Sequence, residues 1–471
     1  MKPSRTLSCQ APLKLLKNEI LCEYASDAIF LETARGLAGM PGCCVLLSGG
    51  DLDCSRYSLI AWDPFLTFKA KGEAITLETP FGTQQKQGDP LECLDHLFWR
   101  LQPDFNLPAA PFGGGAVGYL AYELKNRIET LPQTVRDDLG LPDLYLTFPS
   151  RVLTHDRSLG ILRYLVLGTG NHQDLDVNPL HRRILRPGPP PRAGRTESNF
   201  TPDAYRAAVS AVREYIAAGD VYQVNLSQRF SFQLQGDPFA LWERLFARNP
   251  APFYAYLNTG DHQVLCTSME RFLFREGDTI ETRPIKGTRP RGGSPAEDIR
   301  LGRELQQSTK DDAELSMIVD LLRNDLGRVC RPRTIRVVSH KRVEAYRNVF
   351  HLVSTVAGEA ITNLTHAGLL RAAFPGGSIT GCPKIRAMEI IDELEPCVRH
   401  VYTGCIGYLG LHRNLDLNIA IRTAIVHQGT CRFSAGGGIV YDSDPEMEFL
   451  ETLHKAGTLF EVHRQLGRRH S

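Results

Sequence analysis

The stretch that most constrains this chain is Leu185-Arg-Pro-Gly-Pro-Pro-Pro-Arg-Ala-Gly-Arg-Thr-Glu-Ser198. Proline fixes φ and removes an amide donor, so neither a helix interior nor a central strand runs through four prolines in so short a span. A linker over 181–200 is predicted, with one domain over 1–180 and a second over 201–465. A chain of 471 residues is long enough for such a division and for a large buried core.

The first part reads as β-rich. Cys43-Cys-Val-Leu-Leu-Ser48, Ser58-Leu-Ile-Ala-Trp62, Leu66-Thr-Phe-Lys-Ala70 and Ile161 to Gly168 are strand patterns. Gly113 to Gly115 precede an apolar run and lack the Gly-Lys-Ser/Thr of a phosphate loop, so close packing between strands is expected there. After the linker, Thr201-Pro202 opens a helix with an N-cap threonine and a first-turn proline. Alternating strands follow near 223–230, 253–258, 264–268, 403–410 and 416–426. Helices are expected near 297–328, 365–373, 383–394 and 445–465. Short hairpin spacings favour antiparallel order.

Net charge is +1, which gives no electrostatic case for nucleic acid or an anionic membrane. No apolar run approaches the roughly 20 residues of a membrane span. The first residues lack a secretory apolar region. Twelve scattered cysteines without a Cys-x-x-Cys pair read as reduced thiols in a cytoplasmic protein.

Chemistry concentrates after the linker. In Glu281-Thr-Arg-Pro-Ile-Lys-Gly-Thr-Arg-Pro-Arg-Gly292, Lys286 sits between Ile285 and Gly287, a setting unlike that of a solvated lysine. Leu315, Ile318, Val319, Leu322 and Leu326 form a helical core stripe with Glu314 at its edge. An acid there is ordinarily a boundary residue with its carboxylate in water, and it can also be a ligand. Glu448, Glu451 and Lys455 share one helix face, as a wet ion-pair row or as a Mg²⁺ site. Phe374-Pro-Gly-Gly-Ser-Ile-Thr-Gly-Cys-Pro-Lys384 enters a helix and is either a plain turn or an anion site. Ser434-Ala-Gly-Gly-Gly-Ile-Val440 ends a strand and is either a turn or a carboxylate cradle. His351 fits a satisfied core histidine as well as a functional one. Arg422, inside an apolar run, needs an anionic partner from protein or substrate. Glu270 follows a strand, where a catalytic carboxyl or a local ion pair with Arg271 would sit.

In this order, four blocks resemble the chorismate-utilising enzymes. They are Pro284 to Gly292, Lys310 to Arg328, Phe374 to Lys384, and Ser434 through Asp442 to Ala456. The likeness runs from about Thr201 to Gln465, with a weaker match over roughly 12–160. It implies an α+β, two-lobed fold of largely antiparallel sheets packed as a sandwich with helices outside. Glu314 and Glu451 would ligate Mg²⁺, with Glu448 beside them. Thr380, Tyr402, Arg422, Lys455 and the amides near Gly437 and Gly438 would bind the two carboxylates of chorismate, and His351 would lie near its ring.

Lys286 matches the branch of the family that aminates C4; the anthranilate-forming branch carries alanine there, and isochorismate- and salicylate-forming branches generally a small residue. By this likeness Lys286 adds to C2, and Glu270 is first acid and then base. Ammonia would come from a separate glutamine amidotransferase subunit, and the product would be 4-amino-4-deoxychorismate, on the way to 4-aminobenzoate and folate. Family members often read Ser-Pro-Glu where this chain reads Ser268-Met269-Glu270. Leu46-Leu47-Ser48 and Arg56-Tyr57-Ser58 resemble segments that form an amino-acid pocket, which makes Ser48, Arg56, Tyr57 and Ser58 candidates for one. A catalytically silent relative need not keep Glu270, Lys286, Glu314, Glu451 and Lys455 together.

Overall fold

A computed structural model describes residues 13–103, 105–106, 111–168, 179–181 and 188–467. Its sheet is large and its ladders between named strands are antiparallel. Helices lie around the sheet, and two apolar clusters fill it. This is the expected α+β, largely antiparallel architecture. No helix among the described residues is long and apolar enough to cross a membrane.

Two ladders join the chain's early and late parts. Cys44–Leu47 pairs with Tyr254 to Leu257, and Gly115–Leu120 pairs with Cys405–Gly410. Contact this close requires glycine: a Cβ on Gly115 would lie 2.1 Å from the Leu409 carbonyl oxygen, and one on Gly118 2.0 Å from that of Tyr145. The close-packing reading of this run therefore holds.

The proline-rich stretch is not free of sheet. Arg192–Ala193 and Glu197–Ser198 form two-residue strands along Gln223–Gln235, at positions where the prolines have given way to residues with amides. Residues 182–187 of that stretch lie outside the described residues.

Three further expectations are corrected. The helix expected over 297–328 is two helices, Pro295–Gln307 and Thr309–Gly327, separated at Ser308. Ser308 is extended (φ −67°, ψ 114°), and its hydroxyl accepts from the Asp311 amide to cap the second helix. The helix expected over 445–465 is likewise two, Pro445–Lys455 and Gly457–Gly467. The strand expected over 416–426 is also two, Leu415–Ile419 and Thr423–His427, with Arg422 between them at φ +51°. As expected, the segment from Ser434 ends a strand, and its glycines lie in the ladder rather than in a turn. They continue Thr430–Ile439 and pair with Asn225 to Ser227.

Candidate active site

One cavity, of about 710 Å³, gathers most of the residues singled out above. Glu270, Lys286, Glu314, His351, Tyr402, Arg422, Gly438, Glu448, Glu451 and Lys455 all line it. Its apolar floor comes from Leu265, Ala424, Phe433 and Ala435 of the second core cluster.

Lys286 stands on the strand Ile285–Pro290, antiparallel to Val349–Glu359. Its partner is Leu352, whereas Thr288 pairs with His351, so the ladder slips at Gly287. Gly287 takes φ +66°, and a Cβ there would meet Leu305 Cδ1 at 2.9 Å and Asp311 at 3.0 Å. Such a bulge re-aims its neighbour's side chain. The Lys286 amine donates to the Ser378 carbonyl at 3.4 Å and forms no ion pair among the described residues. Burial around the amine lowers its pKa, while Glu314 and Glu270 act in the other direction.

Glu270 is 5% exposed and sits between the strands His262–Ser268 and Arg271–Glu276. Burial raises its carboxyl to about 6, against the opposing effects of Ser378 and Lys286. The Ser378 hydroxyl donates to Glu270 Oε1 at 2.7 Å. Arg271 forms its ion pairs with Glu281 and Asp416, so the local pairing with Glu270 that the sequence left open is absent. Met269, where relatives often have proline, is 9% exposed and lines the cavity.

His351 lies on Val349–Glu359. Its Nδ1 faces the Gly287 carbonyl at 3.1 Å, and its buried Nε2 has no hydrogen-bond partner among the described residues. Burial lowers the ring to about 4, which keeps it neutral. With Nδ1–H donating to the carbonyl, Nε2 is an acceptor. Arg422 has no side-chain ion pair among the described residues, and burial lowers it to about 10 despite Tyr402 and Glu451.

The acidic wall comes from two helices. Glu314 follows the cap of Thr309–Gly327, and Glu448 and Glu451 project from Pro445–Lys455, capped by Asp444. Ser443 donates to Glu448 Oε1 at 2.6 Å. Burial raises Glu448, helped by Glu451. Burial also acts to raise Glu451, but Lys455 at 2.6 Å outweighs it and the net shift is downward. A Cβ on Gly437 would lie 3.0 Å from Glu448 Oε2 and 3.2 Å from Glu451 Oε1, so the bare glycine leaves a cradle for the two carboxylates. Hard oxygen donors opening on a cavity suit Mg²⁺, which keeps several waters. The three acids do not form a tight cluster; among the described residues the tight acid–histidine group is Asp137, Asp138 and His400, elsewhere and already paired with Lys71 and Arg229. From Ser434 onward the Gly437 strand has lost its ladder to Thr423–His427, which ends at Phe433, and Lys455 donates to the Gly436 carbonyl at 2.9 Å.

Thr380 stands behind the cavity wall. It is fully buried and does not line the cavity, and its hydroxyl turns back to the Gly376 carbonyl at 3.1 Å. Ser378 and Ile379 of the same loop reach the cavity instead. Sequence reasoning passed over Ser378, although the same Pro-Gly-Gly-Ser run contains it. Asn225, Tyr254 and Lys310 also line the wall and were not singled out.

Ser48, Arg56, Tyr57 and Ser58 are brought together away from this cavity. The Ser48 hydroxyl donates to the Tyr57 carbonyl at 2.6 Å, and its amide donates to the Ser58 hydroxyl at 3.0 Å. Arg56 pairs with Asp156 and lies over the Tyr57 ring.

A family model of the chorismate binding enzymes matches residues 43–461. The chain belongs to this family. It is 37% identical over 449 residues to the aminodeoxychorismate synthase component 1 of Bacillus subtilis, covering 93% of this chain and 92% of that one. It is 40% identical over 416 residues to the anthranilate synthase component 1 of Thermus thermophilus, covering 87% and 89%. Among solved structures, anthranilate synthase component I from Streptococcus pneumoniae superposes with a TM-score of 0.75 at 30% identity, covering 86% and 92%. The Escherichia coli isochorismate synthase MenF shares the fold, with a TM-score of 0.73 at 18% identity and coverage of 96% and 95%.

Proposed function

We propose that this chorismate-binding enzyme joins ammonia to C4 of chorismate and forms 4-amino-4-deoxychorismate in the cytoplasm, for 4-aminobenzoate and folate synthesis. The observation that carries the reading is Lys286, a half-buried amine in the cavity wall with no ion pair among the described residues to hold its charge, close enough to Glu270 for the two to perturb each other. Enclosure favours the neutral, nucleophilic amine. Lys286 adds to C2 while Glu270 passes its proton to the C4 hydroxyl, which leaves as water. Ammonia then adds at C4, Glu270 takes up its proton, and the Lys286 nitrogen leaves C2. A carboxyl near 6 can serve both half-reactions, and such positioned proton transfer contributes typically ~10²–10⁴-fold.

Arg422, which has no side-chain ion pair among the described residues, together with Tyr402, Lys455 and the open edge at Gly437 and Gly438, receives the substrate's carboxylates, and His351 borders the ring. Glu314, Glu451 and Glu448 would hold Mg²⁺, which neutralises and orients a carboxylate when bound. Thr380 supports the loop from behind the wall. Relatives of similar length are named component 1, which supports a separate glutamine amidotransferase as the source of ammonia. The cluster at Ser48, Arg56, Tyr57 and Ser58 is proposed as the border of an amino-acid pocket.

The test incubates the purified chain with chorismate, Mg²⁺ and an ammonium salt. The expected product is converted to 4-aminobenzoate by an added lyase. Fluorescent anthranilate in its place would overturn C4 amination, and unconsumed chorismate would mark a silent subunit.

A further inference from the structure

We infer that Ser378 is a positioning residue that spaces the acid from the nucleophile: its side chain holds Glu270 and its main chain holds Lys286. This inference rests on the C4 amination proposed above. The two contacts are the Ser378 hydroxyl to Glu270 Oε1 at 2.7 Å and the Lys286 amine to the Ser378 carbonyl at 3.4 Å. Ser378 is 8% exposed and lines the cavity.

The backbone fixes where Ser378 stands. A Cβ on Gly376 would lie 2.6 Å from Ile419 Cδ1, and one on Gly377 2.4 Å from Leu321 Cδ2. The loop is thereby wedged between the Glu314 helix and the strand Leu415–Ile419, and only side-chain-free residues fit that gap. Ser378 is carried on a rigid support, which is what a spacing residue requires.

Each contact has a chemical consequence. A neutral amine has two N–H bonds and one lone pair. Donating one N–H to the Ser378 carbonyl restricts where the lone pair points, and so selects the direction of attack on C2. The hydroxyl occupies one oxygen of Glu270, leaving the other to carry the proton that goes to the departing C4 hydroxyl and later to take one from ammonia. No atom of Ser378 is consumed in either half-reaction. The charged groups that face Glu270 are Lys286 and Lys455, with the Tyr346 phenol on a third side. Ser378 supplies the neutral side-chain donor, beside the backbone amide of Ile285.

The experiment compares wild type, Ser378→Ala and Ser378→Thr in the ammonia-dependent assay across pH. Loss of a hydrogen bond to a charged group predicts a fall in kcat of about 10- to 100-fold for the alanine variant, with KM for chorismate little changed. Without the hydroxyl, the descending limb of kcat/KM set by the Glu270 proton moves up by roughly half a pH unit or more. Threonine keeps the donor and restores the limb. A purely structural role would lower activity at every pH and leave the limb in place, and that result would overturn the inference. A folded threonine variant as impaired and as shifted as alanine would overturn it too. Wild type is the control that separates the two readings. If it fails to aminate C4, the function proposed above falls; if it is active and the alanine limb is unmoved, only the role of Ser378 falls.

Discussion

Lys455 and Glu451 stand one helical turn apart with Nζ and Oε1 at 2.6 Å, and the same Nζ holds the Gly436 carbonyl at 2.9 Å. The lysine thus links the acidic helix to the open edge of the glycine strand. With nearly half of the Glu451 side chain exposed, the pair alone adds little stability. Its value is positional, since it holds Glu451 beside Gly437 and keeps that carboxylate ionised.

Glu451→Gln should therefore raise the Mg²⁺ concentration for half-maximal activity by about tenfold or more, as expected for the loss of one charged oxygen donor. Thermal melting should be nearly unchanged. Mg²⁺ titrations of activity, after chelation of the wild-type and variant enzymes, measure this. A wild type that keeps full activity in excess chelator would remove the metal from the reaction.

Lys286→Ala should abolish C4 amination, by on the order of 10³-fold or more, as for the loss of a nucleophile. Any residual product should be the C2-aminated, fluorescent anthranilate. Product analysis by chromatography decides the matter, and unchanged 4-aminobenzoate yield would remove Lys286 from the chemistry.

Gly287→Ala introduces a side chain where φ is +66° and where Leu305 and Asp311 already stand within 3.0 Å. The left-handed conformation alone costs roughly 1–2 kcal/mol for a residue with a Cβ. The variant should melt several degrees lower and lose activity beyond what that destabilisation explains, because the bulge aims Lys286. Calorimetry and assay at a temperature where both proteins are folded separate the two effects.

Two buried groups tilt stability with pH in opposite directions. His351 titrates near 4 when folded against 6.5 ordinarily, because burial resists its charge. Below 6.5 the unfolded chain binds the additional proton, so this contribution is complete above 6.5 and is lost as pH falls toward 4. Glu270, raised by burial from 4.5 to about 6, holds its proton longer when folded. Its contribution is complete below 4.5 and is lost as pH rises through 6. His351→Asn should flatten the first slope by on the order of 3 kcal/mol and Glu270→Gln the second by on the order of 2 kcal/mol across their windows. Denaturant titrations at pH 4.5, 6 and 8 read both.

Local rules made much of this legible. Thr201 and Asp444 cap the helices they precede, each followed by a proline in the first turn. The Leu315 to Leu326 stripe faces the core and leaves Glu314 at the cavity. What escaped was set by contacts distant in sequence. Nothing local to residues 416–426 shows that the chain kinks at Arg422 and frees its guanidinium. The slip at Gly287 depends on pairing with a strand some sixty residues on. Thr380 and Ser378 are alike as hydroxyl residues in one glycine loop, and only the wedge against Leu321 and Ile419 decides which of them reaches the cavity.

The ladder between Cys44–Leu47 and Tyr254 to Leu257 bears on how the protein is made. During synthesis the early strand is finished long before its partner exists. At about 5–20 residues per second the delay is roughly 10–40 s, and it is longer for Gly115–Leu120, whose partner begins at Cys405. Throughout that interval the nascent chain presents apolar, glycine-bearing strand edges to whatever surrounds the ribosome. Its yield in a cell should therefore depend on chaperone supply and translation speed more than on the final stability of the enzyme.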